Sequence, residues 1–262
     1  MSGNTFNAER FSLLFKQHFI HNNKLLLYST VAYCGVVFLI LSLTQMGNNL
    51  QPHDTENFIG FLFGFVGVFG ILYVGHSFPA FRSKENSINY LMVPGSAFEK
   101  FLFELVIRIV IMLILLPLLY WVTFHLQGYF FALFTDHTFI SLDIFNWVRA
   151  ETHEINNTFW LPALIISAII LGFVLPFTGA AMFSKQPLVK TLFSVAVIVL
   201  LYTSVIYIVV EHLGLSNYRP GDAMWLIPNS DHSAIRFFAC VLMLANLVML
   251  FVAYRKLKEK EV

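Results

Sequence analysis

The chain has 262 residues, of which 58% are hydrophobic and 12% charged, with a mean hydropathy of +0.73. A soluble domain is about 45–50% apolar and about 25% charged, so these proportions exclude an ordinary water-soluble globule and indicate a polytopic membrane protein. The formal net charge of +1 gives no reason to expect a nucleic-acid partner.

Residues 1–24 read as a cytoplasmic interface segment. Within Asn7–Phe19, apolar Phe11, Leu14, Phe15 and Phe19 share a stripe, with Arg10, Lys16 and Gln17 off it. That spacing describes an amphipathic helix lying at the membrane surface, or a helix end that anchors the first span; either reading puts the apolar face in lipid. The segment is too long and too mixed for the start of a cleaved leader. A membrane span needs about 20 mostly apolar residues. Six stretches qualify: Leu25–Leu43, Phe58–Phe78, Phe101–Phe124, Phe159–Phe177, Leu188–Val210 and Ile235–Tyr254. Hydrocarbon offers the backbone no hydrogen-bond partners, so each must be a helix. The expected fold is an all-α membrane domain over 25–254, followed by a basic tail at 255–262.

The loops orient it. Arg10, Lys16 and Lys24 precede span one, Arg82 and Lys84 lie between spans two and three, Lys185 and Lys190 between spans four and five, and Arg255, Lys256, Lys258 and Lys260 in the tail. The other side is predominantly acidic. Basic loops stay in the cytoplasm, which predicts both termini there. Span two carries Gly60 and Gly64, a small-x-x-x-small pair that lets a helix approach closely; packing within the chain is the expected use. The outer stretch His125–Thr158 reads as a loop with a short interfacial helix, and Glu211–Ser233 as an apolar loop that partly re-enters the membrane or covers the outer mouth. Cys34 and Cys240 each sit in an apolar run and read as buried free thiols.

Catalytic and cofactor patterns fail one by one. No Gly-x-x-x-x-Gly-Lys-Ser/Thr is present, so the chain has no P-loop for ATP, and His153-Glu154 lacks the second histidine of a zinc-protease motif because Asn157 stands there. Gly-x-Ser-x-Gly is absent. The nine histidines are scattered. No metal and no cofactor are expected. Spans one, four and five lack charged residues across their middles, whereas proton and ion pathways usually place ionisable groups there. A solute carrier built this way must receive its energy through a protein contact.

The segment from Arg82 to Arg108 is where such a contact is expected. A polar, basic stretch ends at Pro94-Gly95, and Ser96-Ala97-Phe98-Glu99 reads as a capping box starting the third span's helix. Lys100, Glu104 and Arg108 follow at i, i+4 spacing, either as a self-satisfied ion ladder at the interface or as a brace that keeps the elbow rigid.

An amphipathic amino-terminal helix, six spans, an elbow between spans two and three, and an apolar outer loop between spans five and six together resemble the permease subunits of type 2 ATP-binding-cassette exporters. Asn89-Tyr-Leu-Met-Val-Pro-Gly-Ser-Ala-Phe-Glu-Lys100 and the tail Tyr254-Arg-Lys-Leu-Lys-Glu-Lys260 are similar to stretches of such permeases in Bacteroidetes-type bacteria. The long outer loop after span three departs from the compact plan of that family. The resemblance implies a subunit of the bacterial inner membrane that pairs with a second permease copy, the same or different, and docks separate ATPase subunits. Ser83–Tyr90 would be the coupling helix, with Lys84, Glu85, Asn86 and Tyr90 against the ATPase. Two alternatives remain at this level: an intramembrane enzyme using His125, Asp136, His137 and Asp143, and a non-transporting scaffold subunit.

Overall fold

A computed structural model describes residues 6–47, 55–82, 88, 95–134, 159–212 and 231–261. Six long helices make up the described chain, and among the described residues there is no strand: α1 (Ala8–Gly47), α2 (Thr55–Val74), α3 (Ala97–Ala132), α4 (Trp160–Met182), α5 (Pro187–His212) and α6 (Asp231–Glu261). A short 3-10 turn, Pro79–Arg82, follows α2. Five of the helices are long and apolar enough to cross a membrane, which is compatible with a multi-pass membrane protein. The apolar run of α2, Phe58–Val74, is shorter. The expected second span ran on to Phe78, but the helix stops at Val74. Gly75 follows, Pro79 cannot continue a helical ladder, and Phe78 adopts φ 52.

Several expected boundaries do not appear. α1 runs for 40 residues through the junction drawn at 24–25 between a surface helix and a first span. At about 1.5 Å per residue it is about 60 Å long, twice a hydrocarbon core, so one helix serves both purposes. α3 continues through 125–132, a stretch expected to be loop, and α6 continues through the tail to Glu261. Gly128 is the one turn-former in these two stretches, and a single glycine inside a helix costs only about 1 kcal/mol. The remainder of the two outer loops lies outside the described residues.

The helices form two compact units, the first with α1, α2 and α3, the second with the 79–82 turn, α4, α5 and α6. In the first unit α1 and α3 run parallel, shown by Arg10 bonding Glu99 and, further along both helices, the Tyr33 hydroxyl donating to Leu116 O at 3.2 Å. α2 packs antiparallel on α3: the Tyr120 hydroxyl donates to Phe58 O at 2.8 Å, and Phe58, Tyr120 and Phe124 are buried together. That face of α2 is made by Phe58, Leu62, Phe65 and Val66. Gly60, Gly64 and Gly67 fall on another face, and among the described residues nothing lies within 4 Å of a Cβ at any of them. Cys240 is exposed and Cys34 half-buried, rather than both buried, because Cys240 faces away from the α4 seam.

In the second unit α4 and α6 are also parallel. Ser167, Val174 and Ala181 of α4 are buried at seven-residue spacing, as are Ala239, Asn246 and Ala253 of α6. Small side chains at this spacing let two helices approach along a continuous seam. Asn246 Nδ2 donates to Ser167 O at 2.9 Å and Lys260 Nζ to Ala181 O at 2.7 Å, and both pairs are 79 residues apart, so the register is held along the pair. α5 joins through the tight turn Phe183–Gln186, where Gln186 has φ 50, and packs its first turns on α4 at Gly179 and Thr191.

Candidate functional site

The foot of α3 is built around one carboxylate. Ser96, with extended backbone, is the N-cap; its hydroxyl accepts from the Glu99 amide at 3.2 Å, and the Glu99 carboxylate accepts the Ser96 amide at 2.8 Å. The capping box read from the sequence is therefore formed. Nothing in the local sequence signals what else this carboxylate does. Its other oxygen, Oε1, accepts the Asn7 backbone amide at 2.7 Å and Arg10 Nη2 at 3.2 Å. Glu99 is fully buried and Arg10 partly exposed. One side chain thus caps α3 and latches the first turn of α1 onto it. Hydrogen bonds to an ionised acceptor are about twice as strong as neutral ones, and here two backbone amides and a guanidinium converge on a single anion.

Aromatic packing widens the latch. Phe6 meets Phe98 edge-on at 6.5 Å, and Phe15 meets Phe103 at 5.1 Å, with His18 on the same ring at 5.6 Å. The stripe expected to lie in lipid therefore turns Phe11 and Phe15 toward protein, while Phe19 remains exposed. The reason is the foot of α3, which offers Phe103 to the same face of α1.

Lys100, Glu104 and Arg108 are largely buried, and Glu104 and Arg108 form an i, i+4 pair. Lys100 is buried, with its stem along Gly95, where a Cβ would come within 3.8 Å of its Cε. Arg108 Nε bonds Glu104 Oε2 at 3.3 Å, with the two side chains only 11% and 9% exposed, and its guanidinium lies 4.5 Å over the Tyr73 ring of α2. Arg108 sits in a π-helical turn, Val106–Val110, closed by the Ile111 amide bonding Val106 O. Such a turn inserts one residue and shifts the phase of the helix beyond it. Removing one partner of a buried ion pair leaves an uncompensated charge, so Glu104→Leu alone is expected to cost about 3–5 kcal/mol. The double variant Glu104→Leu/Arg108→Met is expected to recover most of that, as thermal unfolding of the three proteins in one detergent would show.

Lys84, Glu85, Asn86 and Tyr90 lie outside the described residues, as do Asp136, His137 and Asp143. His125, offered as an enzyme group, has its Nδ1 2.9 Å from Trp121 O and its ring on the Trp121 indole. Asn7 and Tyr73 were missed entirely, because neither a backbone amide nor a lone tyrosine in an apolar run announces a partner. Arg10 was visible as an off-stripe cation opposite no named acid. Compared with known proteins, the chain matches no family model, no curated protein and no solved structure.

Proposed function

We propose that the chain is the membrane-spanning permease subunit of an ATP-binding-cassette exporter in the bacterial inner membrane, with six spans and both termini in the cytoplasm. In this reading a separate ATPase docks on residues 83–90, through Lys84, Glu85, Asn86 and Tyr90, and a second permease copy completes the pathway. The observation that carries it is the Glu99 latch. A helix start capped, buried and tied to a neighbouring helix is a stiff post, and it stands directly downstream of the polar segment where a push would be applied. The chargeless middles of spans one, four and five add support, since they favour energy supplied by a partner over an ion gradient.

The test uses the full-length protein purified from its own host's membranes. A polypeptide with a Walker motif is expected to co-purify, and its ATP hydrolysis is expected to rise on reconstitution with the chain. Replacing Lys84, Glu85 and Asn86 together by alanine is expected to lower that stimulation at least tenfold with insertion unchanged. Absence of any co-purifying ATPase, with unaltered behaviour of the triple variant, would refute the reading.

A further inference from the structure

The segment 83–94 is flanked by two attachments, one in each compact unit. Downstream is the Glu99 latch of the first unit. Upstream, Phe78 is buried against α4, its ring 5.0 Å from Phe177, and its backbone has φ 52. A bulky residue keeps that conformation only where its surroundings over-determine it. Arg82 Nη2 donates to Gly75 O at 3.3 Å and the Phe81 amide to Phe78 O at 3.1 Å, which closes the turn. The last contact comes from the far end of the sequence. Lys260 Nζ stands 5.1 Å over the Phe81 ring and donates to Ala181 O in the last turn of α4. A cation suits both places: an aromatic face attracts it, and the carbonyl end of a helix carries partial negative charge.

We propose that Lys260 is a positioning residue, the clasp that fixes the upstream flank of the 83–94 segment to the α4–α6 pair. In the permease reading, a push from the ATPase then reaches α4 and α6 through Phe81 and Lys260, and α1 and α3 through Glu99. The clasp rests on geometry; its transmitting role rests on the permease reading above. Lys260 belongs to the stretch expected to be a plain basic tail, and its neighbour Lys256 does behave as an exposed surface charge, paired with Glu259 at 2.6 Å.

The experiment is hydrogen exchange read by mass spectrometry on the full-length chain in nanodiscs, comparing the unaltered protein with Lys260→Met and Lys260→Arg. Methionine keeps much of the apolar stem and removes the charge. Exchange at Phe81 is expected to speed up about tenfold in Lys260→Met and to return in Lys260→Arg, while peptides over 164–174 in the middle of α4 stay unchanged. Unaltered exchange at Phe81 in Lys260→Met overturns the clasp; faster exchange throughout α4 overturns it too, by showing general loosening. The second arm adds ATP and vanadate to the co-purified ATPase complex. Protection is expected to change at 95–104 and at 174–182 in the unaltered protein, and only at 95–104 in Lys260→Met. A change at 174–182 that survives in Lys260→Met overturns the transmitting role. No nucleotide-dependent change in the unaltered protein counts against the permease reading and the transmitting role together, and the nucleotide-free comparison still decides the clasp.

Discussion

Replacing Gly179 by alanine is expected to cost about 3 kcal/mol, the upper end of what overpacking commonly costs. A Cβ there would overlap Thr191 Oγ1 outright and lie 2.7 Å from both Cβ and Cγ2 of the same side chain. Thr191 has no flexible end to swing aside. It is buried, branched at Cβ, and held by its hydroxyl's bond to Pro187 O at 2.7 Å. Relief therefore needs α5 to back away from α4. The loss would be read as a fall in unfolding temperature by fluorescence-detected size exclusion. Combining Gly179→Ala with Thr191→Gly is expected to restore stability, and with Thr191→Ala to restore it in part. If neither double variant recovers, the overlap is not the cause. Gly172 supplies the contrast on the same helix: a Cβ there meets nothing within 4 Å, so Gly172→Ala is expected to gain up to about 1 kcal/mol from helix propensity.

Glu99→Ala is expected to cost about 3–5 kcal/mol, because it strands the Asn7 and Ser96 amides and removes the anion facing Arg10. The loss has two separable parts. Arg10→Gln removes only the cationic donor and leaves the cap of α3 whole, so it is expected to loosen the start of α1 alone. Exchange of the Phe11 amide, which bonds Asn7 O at 3.0 Å, reports on that start. Exchange of the Lys100 amide, which bonds Ser96 O at 3.1 Å, reports on the cap. Glu99→Ala should speed both, and Arg10→Gln only the first. If Glu99→Ala leaves Phe11 exchange unchanged, the carboxylate does not hold the two helices together.

The sequence was most readable where a local rule decides the structure. Ser96-x-x-Glu99 announced its capping box because both partners lie within one turn, and the apolar runs announced helices because hydrocarbon permits little else. What stayed hidden depends on distant partners. Asn7 donates a backbone amide, which every residue but proline possesses, and Arg10 finds Glu99 across 89 residues. The π turn at Arg108 has no composition signature in Val106–Val110. The glycines of α2 show a different limit: their spacing allows close packing, and among the described residues nothing lies within 4 Å of a Cβ there. Apart from α2, which stops at Val74 short of Phe78, helix ends lie beyond the expected runs, as in α1, α3 and α6, because polar residues such as Lys24 and Arg255 end a hydrophobic stretch without ending a helix.

The alignment of α4 with α6 has a consequence for biosynthesis. Ser167 and Asn246 are bonded partners separated by 79 residues. A ribosome adding about 5–20 residues per second takes about 4–16 s to bring the second into existence after the first. Throughout that interval the newly inserted α4 exposes its row of small side chains, with Gly179 and Thr191 already able to fold α5 back against it as a hairpin. Assembly is thus ordered by translation: the α4–α5 hairpin forms as an early nucleus, and α6 docks onto a surface that has been waiting for it.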